Sequence, residues 1–211
     1  MSTEKKEPVN QISTFSEYMS EFLAEKGART VVEIGADVQL KLALGLSLCC
    51  DQYFCVNFPE DIIRMEGWYE MHQKMGMDNV ELIGANALEL SRHIPHADVI
   101  ILHNVLLDLT GEDTDLLWKY RRGEAKYSPE QLEELNSRFA QAAEQGYREF
   151  LRVANPGYIV TFKRLDVNNR FRNFLLDTLE IDPSKLECKE LLSDECEEMW
   201  IAFIIDNTKT Q

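Results

Sequence analysis

Several short stretches carry residue types able to hold a polar ligand and move a proton. The stretch TVVEIGADVQLKLALGL, Thr30 to Leu46, contains Glu33, Gly35 and Asp37 where a β-branched run gives way to a long apolar segment. A glycine in such a turn leaves room for a ligand beside the backbone, where a side chain would obstruct it. The helix expected after it offers unpaired amides and the positive end of a dipole. This is how a nucleotide-binding strand-turn-helix begins, yet Asp37 and Gln39 stand where further glycines are expected. Asn57-Phe58 ends a second apolar run, Asn86-Ala87 follows a third, and His103-Asn104 closes a fourth. Histidine titrates near neutrality, so His103 could act as a general base, and Asp108 beyond it could orient a substrate. Each also has a plainer role open to it: His103 as a structural hydrogen bonder, Asp108 as a turn or helix cap.

These residues need elements to position them. Gln11 to Lys26 carries Phe15, Tyr18, Phe22 and Leu23 at helical spacing, and Gly27 stops the helix. Strands are predicted at Thr30–Ile34, Tyr53–Asn57, Asn79–Ile83, Ala97–Val105 and Tyr158–Phe162. Between them the spacing predicts helices over Val38–Cys50, from Pro59 to Met75, over Ala87–His93 and from Ser128 to Ala154, with another over Asn168–Leu179. Val38–Cys50 is apolar nearly all round and reads as well buried. Ser128, Pro129 and Gln131 form a helix-start signature with a capping box. Two last strands, Leu186–Leu191 and Met199–Ile205, flank a short acidic turn and should pair antiparallel. Alternating strands and helices imply a mostly parallel sheet covered on both faces. Ligands in such sheets sit at the carboxyl ends of the strands, where Glu33, Gly35, Asn57, Asn86 and His103 all fall.

The 211 residues suit a single domain over about 11–207 behind a polar tail at 1–10, with a polar insertion near 110–128 that could form a lid. The chain holds 22 basic and 37 acidic residues, a net charge of −15. That disfavours a nucleic-acid backbone as the main partner. No apolar stretch approaches membrane-spanning length and no leader opens the chain, so no membrane partner is expected. The five cysteines have no zinc-like spacing and read as reduced, buried thiols in a cytoplasm, with no metal expected.

In order, VVEIGADVQ, YFCVNFPED, GMDNVELIGANALEL, ADVIILHNVLLDL, FLRVANPGYIVTF and the closing hairpin resemble the successive segments of class I S-adenosylmethionine (SAM)-dependent methyltransferases. The match runs from about Arg29 to Ile205. The resemblance implies a Rossmann-like three-layer α/β sandwich, with a mostly parallel seven-stranded sheet and an antiparallel C-terminal hairpin. It implies cofactor contacts at Glu33, Gly35, Asp37, Asn57, Phe58, Asn86, Ala87 and His103, and substrate-side groups at His103 and Asp108. It implies SAM as cofactor, S-adenosylhomocysteine (SAH) as product, and a small molecule as methyl acceptor. A homodimer is compatible with it.

The chain departs from the family pattern at four positions together. Asp37 and Gln39 replace glycines, Asn57 replaces the acid that holds the ribose hydroxyls, and Asn86 replaces the acid that reads the adenine amine. An amide still offers one donor group and one acceptor to a diol, although a neutral acceptor bonds at roughly half the strength of a charged one. Asp37 either caps the following helix or meets the ligand, repelling a carboxylate or attracting an ammonium. Glu33 either meets that ammonium or bonds nearby backbone amides. Three readings follow: a methyltransferase, a methyltransferase-like binding or scaffold protein without catalysis, and a nicotinamide-dependent oxidoreductase. The last is the weakest, since G-x-G-x-x-G is absent.

Overall fold

A computed structural model describes residues 13–103, 119, 123, 126–164, 168–194 and 198–208. Its seven strands are β1 (Thr30–Ile34), β2 (Gln52–Asn57), β3 (Val80–Gly84), β4 (Val99–His103), β5 (Tyr158–Arg164), β6 (Leu186–Leu192) and β7 (Met199–Asp206). They form one sheet in the order β3-β2-β1-β4-β5-β7-β6. Strands β1 to β5 pair in parallel, and β7 runs antiparallel to both β5 and β6. This is the mostly parallel sheet with a closing antiparallel hairpin that the sequence predicts.

Successive side chains on a strand point to opposite faces, so the unbroken apolar runs bury both faces. Val32, Ile34, Ile100 and Leu102 face one way, onto the long helix α4 (Pro129–Val153) with its Tyr147 and Phe150. Val31, Tyr53, Cys55, Val99 and Ile101 face the other way, onto α1 (Phe15–Lys26), α2 (Lys41–Leu46) and α3 (Pro59–Lys74). The short helix α5 (Asn168–Asn173) runs on into a π turn over Phe174–Thr178, where a plain helix to Leu179 is expected. Helix α4 starts at the predicted capping box, with Ser128 accepting from the Gln131 amide and Gln131 returning the bond. Gly157 is required where β5 begins, because a Cβ there would lie 2.8 Å from both the Ala97 and Asp98 carbonyl oxygens.

Three expectations change. The helix after β1 begins at Lys41, not Val38, and gives way to a 3-10 turn over Ser47–Cys49. It is also less buried than an all-apolar segment suggests, with Leu48 82% exposed. The segment after β3 is a 3-10 turn over Ala87–Arg92. Of the cysteines, Cys55 is buried, Cys49 and Cys50 are half-buried, and Cys188 is exposed on β6, so burial does not hold for all of them. No helix among the described residues is long and apolar enough to cross a membrane. The tail at 1–10, Asn104, Asp108, Cys196 and most of the insertion at 110–128 lie outside the described residues.

Candidate functional site

Parallel strands end on one edge of the sheet, and that edge gathers most of the predicted site. Glu33 and Gly35 end β1, Asn57 and Phe58 end β2, Asn86 and Ala87 follow β3, and His103 ends β4. Gly35 has φ 71, a left-handed conformation that glycine adopts without strain, and its amide donates to the Val56 carbonyl at 2.8 Å. The turn therefore folds back against β2 while leaving no side chain at its apex.

Asp37 is not the N-cap of a helix at Val38. The N-cap is Leu40, itself left-handed with φ 56 and without a side-chain cap. Asp37 acts from three residues earlier: Oδ1 accepts from the Gln39 amide at 2.7 Å and Oδ2 from the Lys41 amide at 3.0 Å. One carboxylate thus satisfies two donors of the tightened turn, which delays the helix to Lys41.

Asn57 is a clamp. Its Nδ2 donates to the Ala36 carbonyl at 3.0 Å, and its Oδ1 accepts from the Phe58 amide at 2.9 Å. The side chain thereby ties the end of β2 to the turn after β1. A carboxylate could accept the second bond but could not make the first. The amide at this position is therefore explained by the backbone it joins, and an aspartate is not its equal here. One N–H and one lone pair of the amide remain for a ligand. Asn86 is exposed and caps the 3-10 turn, its Oδ1 accepting from the Leu88 amide at 2.9 Å. Ala87 behind it is buried, and Phe58 is half-buried as the N-cap of α3.

Glu33 is 3% exposed and bonds neither backbone amides nor an ion pair in the hydrogen bonds described; its Oε2 accepts from the Tyr53 hydroxyl at 2.9 Å. Its pKa is pushed up to about 7, chiefly by burial and further by the charge of Asp37, with the Tyr53 bond acting the other way. Tyr53 escaped the sequence reading. Its signal was the period of two: Tyr53, Cys55 and Asn57 share a face of β2, and Glu33 lies on the matching face of β1.

His103 is embedded in aromatic rings. It stacks on Trp200 with 5.7 Å between centroids and 7° between planes, and on Phe162 at 5.5 Å, with Phe15 of α1 at 5.7 Å. Phe15 and Phe162 stack at 4.1 Å. Helix α1 therefore plugs this end of the sheet by packing, and the ring of His103 is held in one plane. The Trp200 indole Nε1 is buried with no hydrogen-bond partner among the described residues. None of Phe15, Phe162 and Trp200 was legible as a neighbour of His103, since they come from three distant parts of the chain. Elsewhere, His72 is buried in α3, His93 closes the 3-10 turn, and His96 lies 3.2 Å from Asp98. Among the described residues no group of three or more His, Cys, Asp or Glu is arranged to hold a metal ion.

No protein-family model matches the sequence, and no curated protein matches it. Solved structures do. The chain superposes on the N-methyltransferase NodS from Bradyrhizobium japonicum WM9 in complex with SAH, at TM-score 0.57 and 13% identity, over 93% of this chain and 89% of that one. The methyltransferase domain of bacterial CtHen1 aligns at TM-score 0.59 and 11% identity, over 90% and 96% of the two chains. The chain has the class I methyltransferase fold. Magnesium protoporphyrin IX methyltransferase (ChlM) from Synechocystis PCC 6803, with bound SAM, shares this methyltransferase fold at TM-score 0.55 and 10% identity, over 90% of this chain and 76% of that one. At such identities the likeness concerns the fold, while the side chains at the strand ends are this chain's own.

Proposed function

We propose that this protein is a SAM-dependent methyltransferase acting on a small molecule. The observation that carries the reading is the Asn57 clamp, which ties the glycine turn after β1 to the end of β2 on the edge where the ligand groups gather. The donor set suits the cofactor. SAM carries a net positive charge, and the Asp37 carboxylate stands in the turn at the β1 end. The spare N–H and lone pair of Asn57 match a vicinal diol, one hydroxyl accepting and the other donating. Asn86 offers its amide at the adenine end, and Gly35 keeps the backbone approachable. Phe58 and Ala87 supply apolar contact beside them.

When bound, SAM supplies a methyl group made electrophilic by its sulfonium. The protein's part is to bind, orient and exclude water. With SAM held there, His103 would take the proton that the acceptor's nucleophile releases as the methyl group passes to it from the sulfonium sulfur, leaving SAH. The rings of Trp200 and Phe162 hold the imidazole in register for that transfer. Asp108, outside the described residues, is proposed to orient the acceptor.

A second reading has one observation in its favour. The Gln39 and Lys41 amides are already satisfied by Asp37, so the turn has those two fewer donors for a ligand carboxylate. That favours a methyltransferase-like binding or scaffold protein. Titration calorimetry with SAM and SAH separates the two. Saturable binding of SAM supports the catalytic reading, and no heat at millimolar ligand removes it. An Asp37→Gly variant that gains SAM affinity over the native chain would identify Asp37 as the obstacle.

A further inference from the structure

Helix α3 turns an apolar face outward. Of the six large hydrophobic residues exposed among the described residues, four lie on or at the end of this helix: Ile63 (68% exposed), Trp68 (39%), Met71 (41%) and Met75 (65%). Single exposed apolar side chains are ordinary, but a contiguous set on one helix face marks a contact surface. At about 100° per residue Ile63 falls opposite the buried Met65 and His72, Met71 lies about 110° round from them, and Trp68 and Met75 border the buried side. Gly67 lies midway between Ile63 and Met71 on the outward side, and a Cβ there would meet nothing within 4 Å. The helix backbone is therefore bare at the middle of the apolar face.

The charges on the same face are arranged symmetrically about Gly67. Arg64 and Glu70 stand three residues to either side, Glu60 and Lys74 seven, and Ile63 and Met71 four. An antiparallel copy of the helix, centred on Gly67, would set each of these opposite its counterpart. Arg64 would meet Glu70, Glu60 would meet Lys74, and Ile63 would meet Met71, each contact occurring twice. Among the described residues Arg64 makes only an exposed contact with Asp61, at 3.2 Å. Glu60, Glu70 and Lys74 have no ion-pair partner among the described residues.

We propose that the outward face of α3 joins two copies of this chain, packed antiparallel about a twofold axis at Gly67. Self-complementarity of this kind is what an isologous contact requires. A 16-residue helix spans about 24 Å, so one helix pair falls short of a standard interface and the dimer should be reversible, at roughly micromolar concentration.

Sedimentation velocity of the full chain from micromolar to millimolar concentration tests this. A concentration-dependent dimer is expected. Gly67→Glu adds a side chain at the axis and improves helix propensity, so it should keep or raise Tm while abolishing the dimer. Arg64→Glu places two like-charge pairs in the contact and should weaken the dimer about tenfold. The double variant Arg64→Glu with Glu70→Arg should restore it. A chain that stays monomeric throughout overturns the proposal. So does a dimer indifferent to Gly67→Glu, which would lie on another face. A weakened dimer that the charge swap fails to restore overturns the antiparallel register.

Discussion

Asn57 shows why shape alone does not decide what an amide is for. As a substitute for an acid it looks like a weakened ligand contact, and restoring the acid looks like a repair. The structure instead gives its Nδ2 to the Ala36 carbonyl. Asn57→Asp removes that donor and sets a carboxylate against a carbonyl oxygen. The expected result is a loss of about 1–3 kcal/mol in urea unfolding at pH 7, larger than at an exposed asparagine. An unchanged or stabilised variant would mean that the clamp contributes nothing. Glu33 carries the other residue-scale prediction. Its folded pKa, about 7, lies above its ordinary value of 4.5. Its contribution to stability is therefore fully present below about pH 4.5 and is lost as pH rises through about 7. Glu33→Gln keeps an acceptor for Tyr53 and removes the buried charge. The variant should match the native chain at pH 4.5 and exceed it by up to roughly 3 kcal/mol at pH 8. Denaturant unfolding at the two pH values checks this, and a pH-independent difference would refute it.

At the scale of elements, the site depends on how closely the strands and turns can approach. The start of β5 is pressed against the segment before β4 at Gly157, with the Ala97 and Asp98 carbonyls each 2.8 Å from where a Cβ would stand. Both obstacles are backbone, so neither can turn aside as a side chain would. Gly157→Ala should cost about 1–3 kcal/mol by overpacking and shift β5 relative to β4. Because Phe162 of β5 lies against His103 of β4, the same variant should alter the His103 ring resonances in a proton NMR spectrum. Unchanged stability would show that the strands part freely there. The delayed start of α2 belongs to this scale too. The apolar pattern marks a helix from Val38, but Asp37 satisfies two amides with one carboxylate and holds the chain in a turn until Lys41.

Across the whole molecule, the net charge of −15 acts on everything else. Like charges on a compact body repel one another, and salt screens them with a Debye length near 10 Å at about 0.1 M. The melting temperature should therefore rise by a few degrees between roughly 10 mM and 200 mM sodium chloride. A fall would mean that specific ion pairs outweigh the general repulsion. Those visible are mostly exposed and local, such as Arg64–Asp61 and Arg148–Glu144, and such pairs contribute little.

Strand positions, strand direction and the edge on which the ligand groups gather were legible in the sequence, while the order of the strands in the sheet came from the structure. They follow from local regularities: apolar runs with a period of two or none, helix starts such as Ser128-Pro129, and turns such as Gly27. Glu33, Gly35, Asn57, Asn86 and His103 could be placed on one edge because parallel strands must end together. What each of them touches was decided only in three dimensions. Glu33 faces Tyr53, Asn57 reaches back to Ala36, and His103 lies against rings from α1, β5 and β7. Hydrogen bonds and ring contacts act over a few ångströms between residues as distant in the chain as Phe15 and Phe162. A linear pattern can place such residues on an edge or a face, but only the packed chain selects their partners.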